Sequence, residues 1–356
     1  MRDAFCERDS DAADRKGRGL TLHIAPSNMP TMFAYSWITS LLSGNTNVVR
    51  ISSRPSEVTE TALAGIRSVL TRPEFEEIAA QNAFVTFPRG GAALEEISQK
   101  AAARVIWGGD ETVENICRIP KGDGCIDITF PDKYSIALLK ESDIEGATDS
   151  ELRHMAHLFY NDTYGADQNA CSSPQTVFWL KDGSCDASGE NPARKRWWDA
   201  VAKEAENYHL EAWIATEKYR MLCRTYALKN SQQTSGQSKC LGPVWMWGNR
   251  LYVVPAEGAI QDLTSLEGRF GIFYEQEIES LTELLPYMES KIQTIVYSGS
   301  DPEDIYQTIR DAGCAGVDRV TALGEALDFS TVWDRKDLVE MLSCTFLNET
   351  KNSKTE

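Results

Sequence analysis

The sequence is short of histidine, of basic charge and of long apolar runs, and each shortage removes a class of function. Four histidines in 356 residues leave little for an imidazole metal site. His154 and His157 stand three apart on an expected helix with no third ligand motif beside them, so no metal is expected. Lys plus Arg number 36 against 53 Asp plus Glu, a net charge of -17. Such a chain repels nucleic-acid backbones and anionic membrane surfaces over most of its extent. No stretch approaches the roughly 20 apolar residues of a membrane span, and Met1 to Gly19 is polar where a signal peptide has an apolar core. A soluble, cytoplasmic protein is the expectation. The nine cysteines are odd in number and include no CxxC pair, which fits thiols in a reducing compartment better than a disulfide framework or a zinc site. Neither GxGxxG nor GxxxxGK[ST] occurs, so the standard dinucleotide and P-loop fingerprints are missing. There is no internal repeat.

What is present is enough for a large core: 42% hydrophobic and 25% charged residues place the chain among globular proteins of one or two domains. From Leu20 onward, apolar β-type runs alternate with amphipathic segments. LTLHIAP, TNVVRIS, AFVTFP and RVIWGG read as strands, while the stretch after Met29, Pro55 to Leu70, Ala92 to Ala103 and Asp110 to Arg118 read as helices. Short strands follow near Cys125 to Thr129 and Ser135 to Leu139. This βα rhythm predicts an α/β fold with a doubly wound parallel sheet. A second unit opens at Thr148, where Thr148-Asp149-Ser150-Glu151 has capping-box spacing and Leu152, Met155 and Phe159 share a helical face. QTVFWL, RLYVVP, GIFYEQEI and TIVYSG are further strands, and Pro302 to Ala312 a helix. KDGSCDASGENPARKR and LKNSQQTSGQSKCLG read as surface excursions. The expected division is a flexible leader over 1–19, a cofactor domain over 20–147, a catalytic domain over 148–337 and a frayed tail over 338–356.

Three local strings carry chemistry. Asp167-Gln168-Asn169-Ala170-Cys171-Ser172-Ser173-Pro174 sets a cysteine among small and polar neighbours between a helix and a buried strand, where backbone amides can stabilise a thiolate and an oxyanion. An ordinary turn around a buried thiol is the plainer reading. Pro26-Ser27-Asn28-Met29-Pro30 fixes one asparagine between two prolines at a strand's carboxyl end. Its carboxamide is placed to stabilise an oxyanion, worth about 3 kcal/mol, or else to cap the next helix. Arg50, Ser52, Ser53 and Arg54, with Ser56 opening a helix, stand where a doubly wound fold meets an adenosine ribose. Hydroxyls and an Arg there favour a 2′-phosphate, hence NADPH; a solvated helix start capped by Ser56 is the alternative. Gly108-Gly109 lets backbone approach a ligand, although paired glycines before a helix are common. His23, inside the first strand, reads as a satisfied interior residue. Trp197-Trp198 and Trp245-Met246-Trp247 suit core by default, or else an acyl pocket or a subunit contact.

Taken together, HIAPSNMPTMFAYSWITSLLSGNTNVVRISSRPSE, WGGDETV, DQNACSSP, GRFGIFYEQEIESLTELLP and AGVDRV resemble the LuxC-type acyl-CoA reductases, from about Leu20 to Asp337. That family lies within the aldehyde dehydrogenase superfamily, whose P-x-N-x-P turn is matched by Pro26, Asn28 and Pro30 and whose K-P-S-E segment is approximated by Arg54-Pro55-Ser56-Glu57. The resemblance implies Cys171 as nucleophile, Asn28 as oxyanion donor, and Ser52, Arg54, Ser56, Gly108 and Gly109 as cofactor-binding residues. It further implies reduction of a long-chain fatty acyl-CoA, or of another acyl donor, to the aldehyde by NADPH. Acyltransferase and acyl-protein synthetase subunits and a homo-oligomer are the implied partners.

Two departures accompany the resemblance. The acid nearest the superfamily's water-activating glutamate is Asp127, and a reductase needs no hydrolytic base. Family members carry a further region ahead of the HIAPSN strand, so the N-terminal region is expected to be shortened. The competing readings are an oxidative aldehyde or semialdehyde dehydrogenase acting on a smaller substrate, a non-catalytic nucleotide-binding homologue, and a cysteine hydrolase. The last lacks a histidine with an orienting third group.

Overall fold

The computed structural model describes residues 15–54, 56–182, 192–231, 241–258, 260 and 262–345. They fall into two compact units. One runs through Asp132 and resumes at Phe329; the other is Lys133–Asp328.

In the first unit, β1 (Arg15–Gly17) precedes β2 (Leu20–Ile24), β3 (Thr46–Arg50), β4 (Asn82–Val85), β5 (Ala103–Trp107) and β6 (Ile126–Phe130). The last five form a sheet in the order β4-β3-β2-β5-β6, parallel throughout. Helices Met32–Leu42, Glu57–Leu70, Ala92–Lys100 and Asp110–Cys117 supply crossovers, as the apolar periodicity predicts. The chain steps outward from β2 to β4, then crosses to the other side of β2 for β5. The carboxyl ends of β2 and β5 therefore flank a topological switch point, the crevice in which doubly wound sheets hold ligands.

His23 is wholly buried on β2. Its Nδ1 lies 2.7 Å from Ser36 Oγ and its Nε2 3.0 Å from Asn47 Oδ1. Burial, opposed by the Asn47 hydrogen bond, lowers its pKa to about 4. The neutral ring is thus a structural tie. Trp107 Nε1 donates to the same Ser36 hydroxyl, and Asn47 donates to Asn82, so a single polar network crosses from β4 to β5.

The second unit holds β7 (Tyr134–Lys140), β8 (Pro174–Leu180), β9 (Trp245–Trp247), β10 (Leu251–Pro255), β11 (Ile272–Ile278), β12 (Ile292–Ser298) and β13 (Arg319–Ala322), in the order β13-β12-β7-β8-β11-β10-β9. Only β9 is antiparallel to its neighbour. Successive residues of β7 alternate between two cores: Ile136 and Leu138 enter one, Ala137 and Leu139 the other. A strand covered on both faces must be apolar throughout, which is why SIALL shows no alternation. Trp197 and Trp198 are completely buried, packing edge-on to Phe159, and so are core. Trp245 and Met246 lie exposed on edge strand β9.

The structure differs from the sequence expectation in three places. The second unit begins at Lys133 and not near Thr148, because β7, read from sequence as the end of the cofactor domain, hydrogen-bonds to β8 and β12. The expected leader and tail also contain ordered segments. After the hairpin of β14 (Val332–Trp333) and β15 (Lys336–Asp337) and the short helix Leu338–Met341, β16 (Ser343–Thr345) pairs antiparallel with β1. Backbone pairing between distant segments leaves no local periodicity to read. Lastly, the supposed excursion ending at PARKR runs into helix Pro192–Glu204, and Leu228–Ser231 ends a helix begun at Ala212; the middles of both excursions, Pro55, residues 1–14 and those after 345 lie outside the described residues. Among the described residues no helix is long and apolar enough to cross a membrane, and no group of three or more His, Cys, Asp or Glu could hold a metal ion.

Candidate active site

Cys171 sits in a loop braced from three sides within the second unit. Helix Asp149–Thr163 starts at the anticipated capping box, Thr148 accepting the Glu151 N–H while Glu151 accepts from Thr148. A single 3₁₀ turn follows, and the chain then reverses through Asp167 and Gln168, both left-handed with φ of 52° and 55°. Two successive non-glycine residues in this region cost on the order of 1–3 kcal/mol each and persist only where surroundings over-determine them. Here the surroundings do. Asp167 accepts from Tyr208 Oη at 2.6 Å and from the Phe270 N–H at 3.1 Å. The buried Gln168 carboxamide donates 3.0 Å bonds to the carbonyls of Pro174 and Ile272, and accepts the Gly271 N–H at 3.0 Å. Gly271 has φ of 80°, and any Cβ there would collide with the Arg250 carbonyl and the Tyr164 hydroxyl.

Beyond the reversal, Ser173 N–H closes a turn onto Ala170 O at 3.0 Å, with Cys171 inside it. Ser173 Oγ donates to Asp162 O at 2.7 Å, and the Asp162 carboxylate accepts the Gly324 and Ala326 N–H groups. Burial, opposed by those two bonds, raises the Asp162 pKa to about 6. Ser135 Oγ on β7 donates to Cys171 O at 2.6 Å. Cys171 is partly exposed while Ala170, Ser172 and Ser173 are buried. The loop therefore presents one sulfur on an immobilised backbone, the arrangement a nucleophile requires. Gln168 was inside the string read for chemistry, but its clamping role was not legible. Ser135 and Asp162 gave no local signal.

The remaining predicted residues lie in the first unit at the carboxyl edge of its sheet. Asn28 is exposed in the turn after β2. Thr59 Oγ1 in helix Glu57–Leu70 donates to Pro30 O at 3.1 Å, so this turn and the segment after β3 are tied together. Ser52 Oγ accepts the Arg54 N–H, and Ser56 caps the helix by accepting the Thr59 N–H, each at 3.2 Å. Gly108 and Gly109 follow β5; a Cβ would press on Thr112 at the first and on the Asp132 carboxylate at the second.

Asp127, the acid nearest a hydrolytic base, is committed elsewhere. Its carboxylate receives Arg104 Nε at 2.7 Å, Arg104 Nη2 at 2.9 Å and Lys121 Nζ at 2.8 Å. Burial works to raise its pKa, but these charged donors outweigh it and the net shift is downward. It is an ionised counter-ion to a buried guanidinium.

Comparison with known proteins agrees with this architecture. The chain is similar to an NAD-dependent benzaldehyde dehydrogenase from Corynebacterium glutamicum, at 13% identity and TM-score 0.60 over 93% of this chain and 68% of that one. It is also similar to a lactaldehyde dehydrogenase from Escherichia coli, at 14% and 0.60 over 93% and 70%, and to a betaine aldehyde dehydrogenase from Staphylococcus aureus, at 12% and 0.62 over 93% and 67%. At such identities the likeness concerns the fold. No curated protein matches the sequence. The model of the acyl-CoA reductase (LuxC) family matches residues 1–209. The fold is thus that of the aldehyde dehydrogenases, and the chain belongs to the LuxC family of acyl-CoA reductases.

Proposed function

We propose that the protein reduces a long-chain fatty acyl thioester to the aldehyde with NADPH, through an acyl-enzyme on Cys171. The observation that carries the reading is the braced Cys171 loop, with its two left-handed residues and buried glutamine clamp, in a member of an acyl-CoA reductase family. The Cys171 thiolate attacks the thioester carbonyl and expels the CoA thiolate, leaving the acyl group on sulfur. Asn28 is assigned to the oxyanion of this step. NADPH, when bound, supplies the hydride that reduces the acyl group. Collapse of the Cys171 thiohemiacetal releases the aldehyde and regenerates the thiolate, with solvent protons completing the balance.

The first unit is assigned to the cofactor and the second to catalysis. The switch point between β2 and β5 at the carboxyl edge of the first sheet suits a dinucleotide, with Ser52, Arg54, Ser56, Gly108 and Gly109 as its contacts. A cytoplasmic location, self-association and assembly with acyltransferase and acyl-protein synthetase subunits belong to the same reading; co-purification from the native cell tests the assembly. The central test is labelling. Radiolabelled long-chain acyl-CoA marks the wild-type chain, NADPH discharges the mark, and Cys171→Ala takes none. A label that persists in Cys171→Ala rejects the nucleophile, and turnover of free aldehyde with NAD but not of acyl-CoA moves the function to an oxidative dehydrogenase.

A further inference from the structure

The carboxyl edge of the first sheet contains a cation with an unused donor. Arg50 is the last residue of β3, in register with Ile24 of β2 and Val85 of β4, and is only 4% exposed. Its Nε donates to Phe87 O at 2.9 Å, and its guanidinium carbon lies 6.0 Å from the Phe87 ring. Its Nη1 is buried and has no acceptor among the described residues. Burial, and after it the charge of a second cation, Arg89, depress the Arg50 pKa. Arg89 is exposed on the loop after β4, with Nη1 3.3 Å from Thr112 Oγ1. Gly90 and Gly91 come next, with open space where their Cβ atoms would be. They lead into helix Ala92–Lys100, whose cap residue Gly91 offers no side-chain acceptor.

A buried donor without a partner is costly, and more so when charged. Two guanidiniums that repel each other add to that cost. A dianion at this edge would satisfy both, accepting from Arg50 Nη1 in the fork geometry that guanidinium and phosphate share and meeting Arg89 from solvent. The positive end of the following helix, which no side chain caps, favours the same charge.

We propose that Arg50 and Arg89 bind a phosphomonoester carried on an adenosine ribose. The inference rests on the proposed function, which supplies two such groups, the 2′-phosphate of NADPH and the 3′-phosphate of CoA. Within the group Arg50, Ser52, Ser53 and Arg54 it selects the buried Arg50 for that phosphate and pairs it with the exposed Arg89.

The test is calorimetric titration of the full chain with two matched pairs, NADP⁺ against NAD⁺ and CoA against 3′-dephospho-CoA. In the wild type, the phosphorylated member of one pair is expected to bind about tenfold more tightly, as for one charged contact of about 1.4 kcal/mol; the pair showing the preference identifies the source. Arg89→Gln, on an exposed loop, is expected to abolish that preference while leaving the unphosphorylated member's affinity unchanged. Arg50→Lys keeps the buried charge but not the fork and is expected to weaken the preference. Absence of preference in both wild-type pairs overturns the inference. So does a preference that survives Arg89→Gln, or an equal loss for both members of a pair. A wild-type chain that binds neither NAD⁺ nor NADP⁺ removes the nicotinamide reading instead, and the CoA pair still reports on the arginines.

Discussion

The Ser135 hydroxyl donates 2.6 Å to the carbonyl of Cys171 while accepting the Thr294 N–H at 3.2 Å. One buried side chain on β7 thereby fastens the cysteine loop to the middle of the second sheet. Ser135→Ala removes both bonds in a place water does not reach. A stability loss of about 1–3 kcal/mol is expected, together with slower acylation of Cys171. Urea denaturation and the rate of acyl labelling check the two effects, and an unchanged urea midpoint would show that the brace does not matter.

Gln168 makes the stronger clamp. Gln168→Met keeps most of the volume but strands two buried carbonyls and the Gly271 N–H. A destabilisation of about 3 kcal/mol or more is expected. Amide exchange should quicken most at Ala170 to Ser173, and exchange that rises evenly along the chain would argue against a local clamp.

His23 predicts a pH dependence. Its folded pKa is lowered to about 4 from the ordinary 6.5. Between those values the unfolded chain holds a proton that the folded chain does not, so stability falls as pH drops below about 6.5 and levels off near 4. The contribution is on the order of 3 kcal/mol. Asp162, with its pKa raised to about 6, acts in the opposite sense below that pH. The comparison is therefore between wild type and His23→Asn at pH 7.5 and 5, where the wild type should lose more stability. Equal losses would remove His23 as the cause.

Asp127→Asn leaves the Arg104 guanidinium buried without its counter-ion. Removing one partner of such a pair costs about 3–5 kcal/mol, and thermal unfolding should reveal it. Chain that remains folded is expected to keep the wild-type rate of Cys171 deacylation by water. A selective loss of that rate, with stability intact, would restore Asp127 as a base.

Much of this architecture is written locally. Side-chain chemistry over a few residues sets the capping box at Thr148, the Ser56 cap and the alternation of apolar strands with helices, because each depends on contacts three or four positions apart. The cysteine among small residues and the proline-bounded Asn28 were visible for the same reason. Other features required the folded chain. Whether β7 closes the first sheet or centres the second depends on which strand edge accepts its backbone, and its apolar run suits either place. The pairing of β1 with β16, the Gln168 bonds to Ile272 and Gly271 and the Ser135 brace join residues dozens to hundreds of positions apart. Arg50 and Arg104 are both arginines in strands. Only packing gives Arg104 a carboxylate and leaves Arg50 beside another cation, since the partner of a buried charge is chosen by register and crossover, not by neighbours in the chain.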